Sequence, residues 1–158
     1  MKRAHQLQPL SREHHLGLNL SRHAKNCSDA PDDILQHWQA LETYLSAMTA
    51  HFAVEDNVLA KLLSPYQDDV PKVKSALATL NQHHKELDSL FTALQAAQNK
   101  GDLIQAAQVR QLAERLYDHI RFEERELFPL AEQHLNESQL TAIYDASDDN
   151  VKRFSEGR

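Results

Sequence analysis

The chain of 158 residues has a formal net charge of −6, with acidic and basic residues mixed along its length. A basic surface for nucleic acid is therefore not expected, because neutralising phosphates needs clustered lysine and arginine. No apolar run approaches the roughly 18 residues of a membrane span, and the first residues lack the pattern of a signal peptide. The single cysteine, Cys27, excludes an intramolecular disulfide framework. We expect a cytoplasmic protein without nucleic-acid or membrane partners.

Composition predicts an all-α fold in a single domain spanning residues 1–158. Only three glycines and five prolines are available for turns, whereas alanine, leucine, glutamine, glutamate and lysine dominate. These side chains lose little rotamer freedom in a helix, which makes them good helix formers. A chain of this length can also bury a substantial core.

Helix breakers divide the chain into five predicted helices. Ser11 is the expected cap of the first helix and Asn136 that of the last, while Pro71 suits a first helical turn. Gly101 marks the end of the third helix, and Pro129 is expected to kink the fourth. The predicted helices cover residues 11–27, 32–63, 71–99, 102–134 and 137–154.

The predicted architecture is an up-down-up-down antiparallel four-helix bundle, over about residues 8–134, with a short extra C-terminal helix. Short connections between long helices favour antiparallel neighbours, and apolar residues recur at spacings of three and four. The seam of the third helix comprises Leu77, Leu80, Leu87, Phe91 and Leu94, and that of the fourth Leu103, Ala106, Val109, Leu112, Leu116, Ile120, Leu127 and Leu130.

Two segments repeat one pattern of histidine and acid. His51 is followed four residues later by Glu55, and His119 is followed four residues later by Glu123. In both segments a second acid and two leucines continue the pattern. Residues four apart lie on one face of a helix, about 6 Å apart along its axis. Each segment can therefore offer one imidazole and one carboxylate to the same point inside the bundle.

The first and third helices carry a second repeat, a histidine doublet followed by a leucine. The doublets are His14-His15 and His83-His84. The seam of the third helix favours His84, and a helical wheel favours His14. These are the first member of one doublet and the second member of the other, whereas aligning the two repeats would select the same member of each. We follow the helix faces and take His14 and His84 as predicted ligands, with His15 and His83 as alternates.

Counting along the chain from the connections places three of the histidines at one height. His51 lies as far before Leu63 in sequence as His84 lies after Lys72. His119 matches His84 in a similar way across the next connection. The first hairpin agrees less well, because its second helix is about 10 Å too long at this level.

Four imidazoles and two carboxylates at one depth predict a metal site. Buried carboxylates need a compensating charge and buried imidazoles need partners. Two metal ions bridged by the carboxylates would satisfy all six groups. Mixed imidazole and carboxylate ligation suits iron, with manganese or zinc possible. No serine or cysteine is placed to form a catalytic triad with these histidines.

Several of these segments resemble the hemerythrin-like (HHE cation-binding) domain. The resemblance covers about residues 8–134 and rests on segments 12–15, 51–55, 83–84 and, most specifically, 119–129. It implies a non-haem di-iron centre with carboxylate and oxo or hydroxo bridges. It also implies terminal ligands at His51 and His119 and bridging carboxylates at Glu55 and Glu123.

One departure from the family pattern bears on function. Oxygen-carrying hemerythrins have two histidines four residues apart on the third helix, but the positions four before the doublet are Thr79 and Leu80. The expected role is therefore binding or sensing O₂, NO or peroxide, acting alone, as a homodimer or with a partner protein. The alternatives are an enzyme or iron donor in nitrosative or oxidative stress repair, and a metal-free helical interaction module.

Overall fold

A computed structural model describes residues 2–153, and within this range every regular element is helical. The all-α prediction is therefore confirmed. Among the described residues, no helix combines the length and the apolar character that a membrane crossing requires.

Helix α1, Gln8–Ala24, follows a single 3₁₀ turn at His5–Leu7. Ser11 was expected to cap this helix, but the helix begins three residues earlier, with Pro9 in its first turn. A proline suits this position because the first helical N–H groups have no partner within the helix. The hydroxyl of Ser11 is instead free to donate to a carboxylate on another helix, that of Glu124.

The second predicted helix, expected to run unbroken from residue 32 to 63, is interrupted in the structure. Helix α2, Pro31–Ala47, ends at Met48, and α3, Thr49–Val54, follows directly. A π-helical segment, Glu55–Leu59, then leads into α4, Ala60–Leu63. The wider turn begins at the glutamate of the histidine–acid repeat. Such π-helical turns are frequent at functional sites.

The connection between α1 and α2 explains the mismatch of the first hairpin. Only part of α1 separates His14 from the connection, because His14 lies inside that helix. The whole of α2 and the start of α3 separate His51 from the same connection. Their rings nevertheless lie 4.9 Å apart between centroids. Residues 25–30 therefore have to cover the difference in height along the bundle.

Helix α5, Pro71–Asn99, has the predicted bounds, and Gly101 follows it with a φ of +80°. Helix α6, Ala106–Phe122, begins four residues later than predicted, where Gln105 forms a capping box with Gln108. Leu103 was expected in the apolar seam of this helix. It precedes the helix instead and is 91% exposed.

A second π-helical segment, Glu123–Leu127, joins α6 to α7, Phe128–His134. The backbone N–H of Phe128 donates to the carbonyl of Glu123, five residues earlier. Pro129 then lies in the first turn of α7, where its missing N–H costs least. Both π-helical segments thus begin at the glutamate of the same internal repeat.

Helix α8, Glu137–Ala146, is capped by Asn136 as predicted, and the amide of Gln139 completes the capping box. The helix ends well before its predicted end at residue 154, which lies outside the described residues. The extended backbone of Ser147 terminates it. Helix α8 packs near the N-terminal 3₁₀ turn at one end of the molecule.

Helices α1, α2, α5 and α6 provide the main packing: α1 contacts α2 and α6, and α5 packs on α6. Their buried apolar side chains form two clusters, named here the lower and upper cluster. The lower cluster includes Leu7, Leu10, Leu59, Leu63, Leu80, Leu127 and Phe128. The upper cluster includes Trp38, Leu41, Leu45, Leu87, Leu112, Leu116 and Ile120.

Candidate metal centre

A layer of buried polar side chains lies along the chain where residues of the two apolar clusters meet. Its six members are 0–3% exposed apart from His84, whose side chain is 11% exposed. We name it the polar layer, and it consists of His14, His51, Glu55, His84, His119 and Glu123. Polar groups buried this deeply need partners, so their contacts decide what the layer can do.

The polar layer contains two overlapping sets of ligand atoms. One set joins Glu55 and Glu123 to His14 and His51, and the other joins the same two glutamates to His84 and His119. Within each set, one ligand atom per residue lies within 4.8 Å of the others. Because both carboxylates belong to both sets, the layer has the composition of two adjacent cation positions with two shared ligands.

Glu55 connects the two sets through its two oxygens. Oε2 lies 3.0 Å from Nε2 of His51, and Oε1 lies 3.1 Å from Nε2 of His84. Glu123 connects them through Oε1, which lies 3.0 Å from Nε2 of both His14 and His119. Each histidine thus directs its Nε2 atom toward the shared carboxylates.

Two atoms of the polar layer remain without a hydrogen-bond partner among the described residues. They are Nε2 of His119 and Oε2 of Glu123, both fully buried. Nε2 of His119 is close to Oε1 of Glu123, but the two atoms are not in hydrogen-bonding geometry. An orphaned imidazole nitrogen beside an orphaned carboxylate oxygen fits a cation, which both atoms could ligate. The residues present therefore fit the metal that the sequence predicts.

The carboxylates change the proton affinity of the imidazoles beside them. Burial opposes protonation of His14, His51 and His84, but charge and hydrogen bonds from neighbouring carboxylates outweigh it and raise the pKa of all three. The pKa of His84 rises to about 9. Strong attraction for a proton at these nitrogens is also attraction for a metal cation, which competes for the same lone pairs.

The pKa of Glu123 lies well below its usual range. Burial would raise it, but the charge of His119 and the hydrogen bond with His14 outweigh burial and lower the pKa. The carboxylate is therefore ionised, in the form that ligates metals.

The family model of the hemerythrin HHE cation binding domain matches residues 5–131. The chain belongs to this family. No curated protein and no solved structure matches it significantly. The matched range contains all six residues of the polar layer, so the cation-binding character of hemerythrin HHE domains and the observed cluster agree.

In this hemerythrin-family chain the two histidine doublets divide in the same sense as the predicted choice. His14 and His84 lie in the polar layer, whereas His15 is exposed on α1. His83 belongs to neither ligand set. Its Nδ1 atom lies 3.2 Å from Nδ1 of His119, on the side of that ring facing away from the shared carboxylates.

An outer ring of side chains, whose contacts the sequence analysis did not predict, touches the Nδ1 atoms of the four histidines. His14 contacts Glu124 at 2.7 Å, His51 contacts Glu13 at 3.3 Å, and His84 contacts Asp56 at 2.8 Å. His83 completes the ring by its contact with His119. A sequence signal existed: every outer residue is adjacent in sequence to one of the six, and a side chain beside a buried ligand can reach a neighbouring helix.

Aromatic rings close the layer above and below. Phe128 stacks on His14 with 5.4 Å between ring centroids, and Phe52 lies 4.8 Å from His84 and 5.9 Å from His119. These rings limit access of water to the polar layer. A low local dielectric strengthens every charge interaction within it.

Proposed function

We propose that this hemerythrin-family protein binds two iron ions in the polar layer and uses them to bind or sense O₂, NO or a related small oxidant. One ion would be held by His14 and His51, the other by His84 and His119, and both by Glu55 and Glu123. The observation that carries this proposal is the sharing of both carboxylates by the two ligand sets.

Iron is favoured by the donor set. Imidazole and carboxylate together suit iron, and helical bundles commonly hold di-iron centres with this mixture of ligands. An oxo or hydroxo bridge from solvent would complete the centre. Manganese and zinc accept similar donors and are the competing metals.

Bound iron would supply redox activity and an open coordination position for a diatomic molecule or peroxide. The chain's own residues orient the ligands and exclude water. Position 80, where an oxygen-carrying hemerythrin pattern would place a further histidine, is Leu80, which is 2% exposed in the lower cluster. A side chain without a ligand atom there favours sensing over reversible oxygen carriage.

A second candidate function is iron donation, or a redox enzyme activity, in repair of nitrosative or oxidative damage. The exposed side of the site favours it. A cleft of about 450 Å³ is bounded by Phe52, Asp56, His84 and Asp88 and reaches the polar layer at His84. An ion near such a cleft could leave the protein.

We further propose that the helices form an up-down-up-down antiparallel bundle within one domain, located in the cytoplasm. The packing of α1 on α2 and α6, and of α5 on α6, supports this arrangement. The chain's single cysteine, Cys27, rules out the disulfide framework that is common in small secreted domains. Any signal would pass to a second copy of the chain or to a partner protein.

Adding Fe(II) without oxygen, followed by O₂ or NO, tests this function. We expect a visible and near-ultraviolet spectral change that depends on both the iron and the gas. Glu123→Ala protein treated identically should give no such change. Wild-type protein that takes up iron but shows no spectral response to either gas would contradict the proposed sensing function.

A further inference from the structure

The two halves of the polar layer differ in what supports them from outside. We name His14 and His51 the closed pair and His84 and His119 the open pair. The outer partner of a metal-binding histidine fixes its tautomer and orientation and raises its basicity, most strongly when that partner is a carboxylate. The outer contacts of the two pairs therefore bear on how tightly each holds an ion.

Carboxylates support both histidines of the closed pair, and one of them, Glu124, is itself anchored by further contacts. Glu124, which contacts His14, also accepts hydrogen bonds from Ser11 at 2.8 Å and from the guanidinium of Arg3 at 3.4 Å. Glu13, which contacts His51, is 11% exposed. Glu124 is 29% exposed but anchored by these two further contacts, and Glu13, 3.3 Å from His51, is largely shielded from water.

Support for the open pair comes from a solvent-exposed carboxylate at His84, although that contact is short at 2.8 Å, and from an imidazole at His119. The carboxylate of Asp56, which contacts His84, is 50% exposed, so water competes for it. Within residues 2–153, the outer nitrogen of His119 has no carboxylate partner and contacts His83 instead.

The contact between His83 and His119 joins two Nδ1 atoms and therefore needs one proton between them. If Nε2 of His119 presents a lone pair to a metal, its Nδ1 carries the proton and donates it to Nδ1 of His83. His83 is then a neutral acceptor, which makes a weaker hydrogen bond than a carboxylate does. His119 should consequently be held less firmly in its metal-binding orientation than the histidines that contact a carboxylate.

Access from solvent also differs between the pairs. The side chain of His84 is 11% exposed and lines the cleft with Asp56 and Phe52, whereas His14 and His51 are 3% and 2% exposed. Water or a competing ligand can reach the open pair along this cleft at His84, whereas His119 is fully buried. The closed pair lies beneath Phe128, whose ring covers that of His14.

We propose that the two iron positions are inequivalent and that the ion held by the open pair is the exchangeable one. His83 is the positioning residue: as the neutral outer partner of His119, it leaves that ion more weakly held than a carboxylate would. This inference rests on the proposed di-iron site. It names which ion leaves first and through which face of the molecule.

Release of Fe(II) to a coloured chelator tests the proposal. Protein loaded anaerobically with two equivalents of Fe(II) should release about one equivalent in a fast phase and one in a slow phase. We expect the rates to differ by about tenfold or more, the range that outer partners of metal ligands commonly account for.

Exchanging the outer partners between the pairs makes the test specific. In His83→Asp, Oδ1 takes the place of Nδ1, and the added carboxylate should slow the fast phase by about tenfold. His83→Asn keeps a neutral acceptor at the same position and should retain the wild-type fast phase. Glu124→Gln gives the closed pair a neutral partner and should accelerate only the slow phase. His15→Asp, an exposed member of the other doublet, is the matched control and should alter neither phase.

Release of both ions in a single phase would overturn the proposal. So would a fast phase that responds to Glu124→Gln and not to His83→Asp, because the exchangeable ion would then belong to the closed pair. Wild-type protein that takes up no Fe(II) would instead overturn the proposed di-iron function, and this inference with it.

Discussion

The polar layer and the two apolar clusters on either side of it are similarly buried, but burial affects the stability of the fold in opposite directions. Leu112 and Leu116 of the upper cluster are at most 1% exposed and stabilise the fold by removing apolar surface from water. Glu55 and Glu123 are fully buried as well, yet removing a carboxylate from water opposes folding unless its charge is compensated. Within the layer, the histidines are the protein groups that offset this cost.

This difference indicates that the stability of the fold and the binding of metal depend on different sets of residues. The clusters supply the stability that lets four helices hold six costly side chains at one level. The layer supplies a place where a multivalent cation is favoured. Variants in the clusters should therefore change stability without changing iron content, and variants in the layer should do the reverse.

The largest effect is expected from Glu123→Ala. This change removes one of the two carboxylates that both ligand sets share, so iron should fall from about two ions per chain to fewer than one. The helices should remain, because the alanine is compatible with a helix and both apolar clusters are intact. Metal analysis and far-ultraviolet circular dichroism measure the two quantities. Glu114→Ala, at an exposed position of α6, is the control and should retain wild-type iron.

The first doublet offers a matched pair of variants. His14→Ala should lower iron by about one ion per chain, because it removes one of the two histidines of the closed pair. His15→Ala should leave iron unchanged, since His15 is on the exposed side of α1. Equal losses in the two variants, measured by metal analysis, would show that the choice of His14 is wrong.

In the upper cluster, Leu112→Ala should lower the free energy of unfolding by about 2–5 kcal/mol, the usual range for a leucine truncated in a packed core. Leu112 is 0% exposed and lies away from the polar layer. Urea unfolding measures the change, with Gln111→Ala at the exposed neighbouring position as the control. Iron content should remain at about two ions per folded chain. A variant that loses iron as well as stability would show that fold and site are not separable.

A smaller effect is expected from Gly17→Ala, which adds a methyl group directly against the ring of Tyr44. Tyr44 donates a hydrogen bond to the carbonyl of Glu13 at 3.0 Å and is buried at the edge of the upper cluster. Overpacking of this kind costs about 1–3 kcal/mol. Thermal unfolding should show the loss. An unchanged midpoint would mean that the tyrosine ring moves aside without cost.

Much of the fold could be predicted because helix signals in this chain are local. Asn136 and Pro71 mark helix starts by their own backbone preferences, and the structure agrees at both. The predicted start of the fourth helix was wrong because Asp102, like other aspartates, has the side chain of a helix cap. The capping box of Gln105 and Gln108, which sets the true start, depends on side-chain geometry that spacing alone does not reveal.

Four members of the polar layer could be predicted for the same reason: the spacing of His51 and Glu55 fixes one face of a helix, and the repeat at His119 and Glu123 identifies it as a pattern. The sequence left an alternate open in each histidine doublet. The π-helical turns that begin at Glu55 and Glu123, and the contacts of the outer ring, could not be predicted from sequence spacing. They depend on contacts between helices, such as that of His14 with Glu124, 110 residues away in sequence. A helical wheel holds no information about a neighbouring helix.

Metal analysis of protein purified without added metal, followed by an anaerobic Fe(II) titration, tests the central claim most directly. We predict about two irons per chain at saturation, with uptake lost in a variant that lacks both shared carboxylates, Glu55→Ala together with Glu123→Ala. Wild-type protein that stays colourless and metal-free and takes up no Fe(II) would contradict the account. The polar layer would then be a set of buried histidine–glutamate pairs within a helical interaction module.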